Sequence, residues 1–148
     1  MNSKLLVLVM FLFSGFNLKA QGIEFFHGTL EEVKAKAKES GKLVFVDAYT
    51  TWCGPCKRMA AEIFPQQEVG AYYNANFINY KMDMEKGEGP SFSKKYSIRA
   101  YPTFVFINGD GEMIFTKVGG SDAKGFIQMG SAAVEKYDKS PAFAVRYN

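Results

Sequence analysis

The stretch Leu43–Tyr49 (LVFVDAY) constrains the fold more than any other part of this chain. It has the length of a strand, is rich in valine and aromatic residues, and lacks the apolar–polar alternation of a strand with one wet face. A strand that is apolar on both sides must be covered on both sides. Helices packed on either face of a sheet provide that cover.

The flanking sequence supplies those helices. Thr29 stands three residues ahead of Glu32 in a capping-box pattern, so a helix is expected from Leu30 to about Ser40, with Gly41 as its stop. A second helix should start near Gly54, bend or break near Pro65 and finish near Asn74. FINYKMDM (77–84) reads as a second strand, KGEGP (86–90) as a loop, and residues 91–96 as a short helix. TFVFI (103–107) and EMIFTKV (112–118) read as a hairpin turning at Asn108-Gly109 or Asp110-Gly111, and a last helix should cover about 122–137. Early strands alternating with helices should be parallel, and the closing hairpin antiparallel. The expected fold class is therefore α/β, with one central mixed sheet of four to five strands and helices on both faces. No repeats or linkers interrupt it, and Pro141 should open a short tail.

Both cysteines of the chain, Cys53 and Cys56, fall just after the first strand, in TTWCGPCKRM. A zinc site needs four ligands, and one C-x-x-C supplies two. No second pair exists, and the single histidine, His27, is distant in sequence. Zinc would require two chains to pool their pairs, and haem attachment would need histidine where Lys57 stands. As a staple the pair would close a very short loop, where the entropic gain is smallest. A reversible redox pair fits the position better. At the first turn of a helix, unsatisfied N–H groups and the positive end of the dipole favour thiolate over thiol. Pro55 suits that turn because its missing N–H is not needed there. Cys53, at the cap, should meet solvent as the nucleophile, with Lys57 adding positive charge. Cys56, one turn in, should be shielded and act as the resolving thiol.

The chain of 148 residues is long enough for one domain with a real core, and 47% hydrophobic with 22% charged residues is ordinary for a globular protein. Residues 1–20 stand apart. Lys4 precedes an unbroken apolar run from Leu5 to Phe13, then Ser14, Gly15 and Asn17 break it and Ala20 ends it, the pattern of a secretory signal peptide. An uncleaved anchor is the rival, but the run is shorter than the roughly 20 residues that span a bilayer. Cleavage would leave 21–148 as the mature domain. It removes Lys4 and Lys19 and no acid, so the formal charge falls from +3 to +1. A near-neutral domain has no general pull toward nucleic acid or anionic membrane, so no partner of either kind is expected.

VDAYTTWCGPCKRM, YKMDM and KKYSIRAYPTFVFINGDGEMIFTKVGG, taken in order, resemble the thioredoxin family from about Leu43 to Gly120. The family's fold agrees with the element order above. The resemblance implies that Cys53 attacks and Cys56 resolves, and that Trp52 packs beside the disulfide, with Gly54 and Pro55 in the motif facing the substrate. Asp47 takes the place of a buried carboxylate, which burial would keep basic enough to accept the Cys56 proton. Lys81 matches a lysine that pairs with that acid. Tyr101-Pro102 matches a cis peptide whose first residue offers its backbone to an extended client segment. Gly119 should complete the groove wall, where a side chain would block approach, or serve as a turn glycine. Tyr101 departs from the pattern, since smaller aliphatic residues or threonine are commoner there.

Three functions remain open on these residues. A reductase passes electrons to client disulfides, and the Gly-Pro spacer resembles reducing members of the family. Oxidases and isomerases usually carry histidine before the second cysteine, where this chain has Pro55. A binding module that only borrows the fold has no need of Cys53–Cys56, Asp47 and Pro102 together. The chain has no nicotinamide or flavin fingerprint, so no cofactor is expected and the reductant should be a membrane-embedded donor protein. A bacterial periplasm and a monomeric protein complete the expectation.

Overall fold

A computed structural model describes residues 22–140. The leader expected over 1–20 and the tail from Pro141 lie outside the described residues. The elements are α1 (Leu30–Ser40), β1 (Leu43–Tyr49), α2 (Gly54–Arg58, continued by a π-helical turn over Met59–Ile63), α3 (Gln67–Asn76), β2 (Phe77–Asp83), α4 (Gly89–Lys95), β3 (Thr103–Ile107), β4 (Met113–Val118) and α5 (Ala123–Asp138). The capping box at Thr29 is made in both directions, and Gly41 ends α1 at φ +72°, a left-handed stop that favours glycine.

The sheet runs β2-β1-β3-β4, with β1/β2 parallel and the other two pairs antiparallel. The central place of β1 is the reason for its unbroken apolar run. Val44, Val46 and Ala48 face α1 and α4 through Val33, Ala37 and Phe92, whereas Leu43 and Phe45 face α2, α3 and α5. The second layer is strongly aromatic: the Phe45 ring lies 4.9–5.9 Å from those of Tyr73, Phe104, Phe106 and Phe126. Tilted and edge-on ring pairs of this kind add about 0.5–1.5 kcal/mol each beyond their buried area.

Among the described residues four strands are formed. Where a fifth would lie, beside β2, a strap of residues 22–26 makes one parallel bridge, Phe25 to Asn79. The helix break falls at Phe64-Pro65, and the π turn before it was not foreseen from the sequence. The hairpin turns at Gly109-Asp110, between the two dipeptides expected: the Gly111 N–H donates to the Asn108 carbonyl at 3.0 Å and Gly111 follows at φ +82°. The Glu112 N–H is drawn into the turn by Asn108 Oδ1 at 2.9 Å, so β4 starts at Met113.

Candidate redox site

The site lies at the C-terminal end of β1. Cys53 is the N-cap of α2 in extended backbone (φ −71°, ψ 111°), and Pro55 sits in the first turn. Cys53 and Cys56 form a disulfide with a Cα separation of 5.3 Å, and the Cys56 N–H donates to Cys53 Sγ at 3.2 Å. Helix geometry therefore directs an otherwise unsatisfied N–H, together with the positive end of the helix dipole, at the sulfur that would carry thiolate charge.

Cys53, expected to meet solvent, is buried. Cys53 is 3% exposed and Cys56 5%, so the first cysteine is no more open to solvent than the second. In the oxidised state Sγ of Cys53 is turned onto its partner sulfur and the Cys56 amide, which withdraws it from water. The asymmetry between the two lies in electrostatics rather than exposure.

Asp47 stands on the sheet face of Leu43 and Phe45 and is 1% exposed. The parallel register sets Lys81 directly opposite, and Lys81 Nζ donates to Asp47 Oδ2 at 2.7 Å. Among the described residues no protein group bonds Asp47 Oδ1. Burial pushes the Asp47 carboxyl above the usual carboxylate range, and the Lys81 charge and hydrogen bond oppose that rise only in part. Lys81 and Cys56 line one cavity of about 270 Å³, with Tyr49, Thr50 and Lys57. The lysine that holds this proton-retaining carboxyl group thus shares a cavity with Cys56.

Just before β3, whose Thr103 pairs with Ala48 near the end of β1, the Tyr101–Pro102 peptide is cis. The Gly119 N–H donates to the Pro102 carbonyl at 2.8 Å, which fastens the end of β4 to this loop. Gly119 sits at φ +93°, and a Cβ there would meet no protein atom within 4 Å. Backbone conformation demands glycine at that position, while the space beyond it is open. Trp52 is 64% exposed and edge-on to the Tyr101 ring at 5.9 Å and 81°, so these two aromatic rings flank the cysteines. Its indole N–H donates to Glu85 Oε1 at 3.0 Å. Glu85 escaped the sequence reading, although it follows β2 and parallel pairing brings the ends of β1 and β2 to one side. Gly54 has open space around it at the start of α2.

A cysteine pair caps the helix that follows a central strand carrying a buried acid, and a cis-proline precedes the strand paired with the same end of β1; that combination defines a thioredoxin-fold protein with a redox-disulfide site. The profile of the thioredoxin-like domain matches residues 30–133, and the chain belongs to that family. It is similar to Thioredoxin H4 of Arabidopsis thaliana, 40% identical over 84 residues that cover 57% of this chain and 66% of that one. The chain spans about half to two thirds of the length of this relative, of Thioredoxin-2 of Pyricularia oryzae and of Thioredoxin-1 of Drosophila melanogaster. Among solved structures, a candidate disulphide-isomerase from Bacteroides thetaiotaomicron is 45% identical with TM-score 0.70, covering 79% of this chain and 97% of that one. The C-terminal domain of Neisseria meningitidis DsbD in the oxidised form is 25% identical with TM-score 0.58, covering 74% and 99%.

Proposed function

We propose that this protein is a thiol–disulfide oxidoreductase that reduces disulfides in client proteins outside the cytosol, in a bacterial periplasm. The observation that carries the reading is the Cys53–Cys56 pair at a helix N-terminus, with Cys56 sharing a cavity with the lysine that holds Asp47.

In the reduced protein, Cys53 thiolate attacks a client disulfide. A Cys53–client bond forms and one client sulfur leaves as thiolate. Asp47, as carboxylate, then takes the Cys56 proton, and Cys56 sulfur attacks Cys53 sulfur. The second client thiolate leaves and the Cys53–Cys56 disulfide remains. Two electrons have passed to the client, and a donor protein's dithiol must restore them. Trp52, Tyr101, Pro102 and Gly119 form the groove in which the client strand lies.

The direction of electron flow rests on the spacer. With Pro55 before Cys56, Cys53 thiolate has the helix end and one amide to stabilise it, and no histidine. A less stabilised thiolate makes a less oxidising disulfide. Residues 1–20, read as a leader, put the work outside the cytosol, and a membrane-embedded donor follows from that. The 45% identity to the Bacteroides candidate disulphide-isomerase favours isomerisation as the second reading.

The deciding measurement is the equilibrium potential of Cys53–Cys56 against glutathione. A value near −270 mV supports reduction, and one near −120 mV, as in a strong oxidase, sinks it. Cys56→Ser should accumulate clients disulfide-bonded to Cys53. Absence of such adducts from a folded variant would favour a binding module instead.

A further inference from the structure

We infer that the strap of residues 22–26 is a working part of the exchange site: Phe25 completes an aromatic cage that holds the Lys81 ammonium against Asp47, and so acts as a positioning residue for the resolving step. The inference rests on the proposed role of Asp47 as the base for Cys56.

Three rings surround Lys81 Nζ, with centroids at 4.7 Å for Tyr49, 5.1 Å for Phe25 and 5.2 Å for Phe64; Asp47 Oδ2 closes the fourth side at 2.7 Å. Each ring comes from a different place: the end of β1, the strap, and the break after α2. Phe25 and Phe64 also meet edge-on at 5.6 Å. The strap is fastened at several points around that contact. The Ile23 N–H donates to the Phe64 carbonyl at 2.8 Å and the Phe26 N–H to the Asn79 carbonyl at 2.7 Å. Asn74 and Asn79 hold Gly22 and Glu24 through their side-chain amides.

A lysine on a long stem and one-third exposed would ordinarily extend its ammonium into water. Ring faces on three sides attract the cation and offset that tendency. Their attraction does not depend on the charge of Asp47. When Asp47 has taken the Cys56 proton it no longer attracts Lys81 as an anion, yet the rings still keep the ammonium in register for the return of the charge. The other titratable groups at the pair are Tyr49 on β1 and Cys56 and Lys57 on α2. Asp83, further along the same face of β2, is tied to Lys86, and Glu24 of the strap lines a separate cavity. The strap thus presents apolar groups to Lys81.

The test uses Phe25→Leu and Phe25→Tyr in the full chain, with two readouts: ¹³C titration of the Asp47 carboxyl in the oxidised protein, and the pH profile of mixed-disulfide release. Phe25→Leu should let Lys81 loosen, move the Asp47 titration to higher pH, and slow release at neutral pH by about two- to fivefold, the scale of one cation–π contact. Phe25→Tyr should keep both near wild type, and in a Lys81→Met background Phe25→Leu should shift neither. An unmoved titration in Phe25→Leu, or an equal shift without Lys81, overturns the inference. Tyr49→Leu opens the cage from β1 and carries the same expectation if Phe25→Leu does not fold. Failure of the wild-type protein to exchange would overturn the functional reading and leave the titration test intact.

Discussion

Replacing Asp47 by asparagine should stabilise the oxidised protein at neutral pH. The carboxylate is fully buried, one oxygen has no protein partner among the described residues, and the other is held by Lys81. An unsatisfied buried polar group costs about 1–3 kcal/mol, and more when charged; asparagine keeps a polar atom at that place and removes only the charge, which is the source of the gain. Against this stands the loss of the ion pair. Removing one member of a fully buried pair is severe because the other charge is stranded. Lys81, however, is 32% exposed and can hydrate, so its loss is nearer the roughly 0–1 kcal/mol of a surface pair. The net gain should be about 1–2 kcal/mol, or several degrees in Tm for a domain of this size. The sign with pH follows from the raised Asp47 pKa. Below the unfolded value, about 3.9, both states carry the proton and the carboxyl costs nothing. As pH rises through the window up to the folded value, the unfolded chain ionises first and stability falls. Denaturant unfolding of wild type and Asp47→Asn should therefore diverge at neutral pH and converge below about pH 4. A variant no more stable than wild type at neutral pH, or a gain that persists in acid, would refute the reasoning.

Other expectations follow from single contacts. Asp47→Ala should slow release of a Cys53 mixed disulfide at neutral pH by about 100-fold, the lower range for a lost general base, read by stopped-flow Trp52 fluorescence; an unchanged rate removes Asp47 from the mechanism. Phe45→Ala empties the centre of the aromatic layer and should cost about 3–5 kcal/mol in chemical unfolding, with a cost under 1 kcal/mol contradicting the packing described. Gly119→Ala places an L-residue at φ +93° while its Cβ meets no protein atom. It should lose about 1–2 kcal/mol from backbone conformation, and full stability would show that the turn relaxes freely.

What could be read from the sequence divides along a physical line. The β1 run, the Thr29 capping box, the proline break and the hairpin glycine are local signals, and each produced the element it implied. The cysteine pair was equally legible because its chemistry depends on three residues at a helix cap. Contacts set by register and by chain entry were hidden. That Lys81 faces Asp47 depends on which residues of two strands lie opposite, and that pairing is decided by the whole sheet; here family resemblance supplied what local pattern could not. Phe25 carried no signal at all. It makes one bridge, belongs to no helix or strand, and acquires a role only when the Phe64 break and the end of β1 bring two more rings to the same ammonium. The burial of Cys53 is hidden for a related reason: exposure at a helix cap depends on what the side chain bonds to, here Cys56 Sγ, as well as on its place in the helix. The Asp47 carboxylate therefore belongs to a larger assembly than the cysteine motif suggests. Its basicity is set by burial, opposed by one lysine, and that lysine is held in place by residues from three separate parts of the chain.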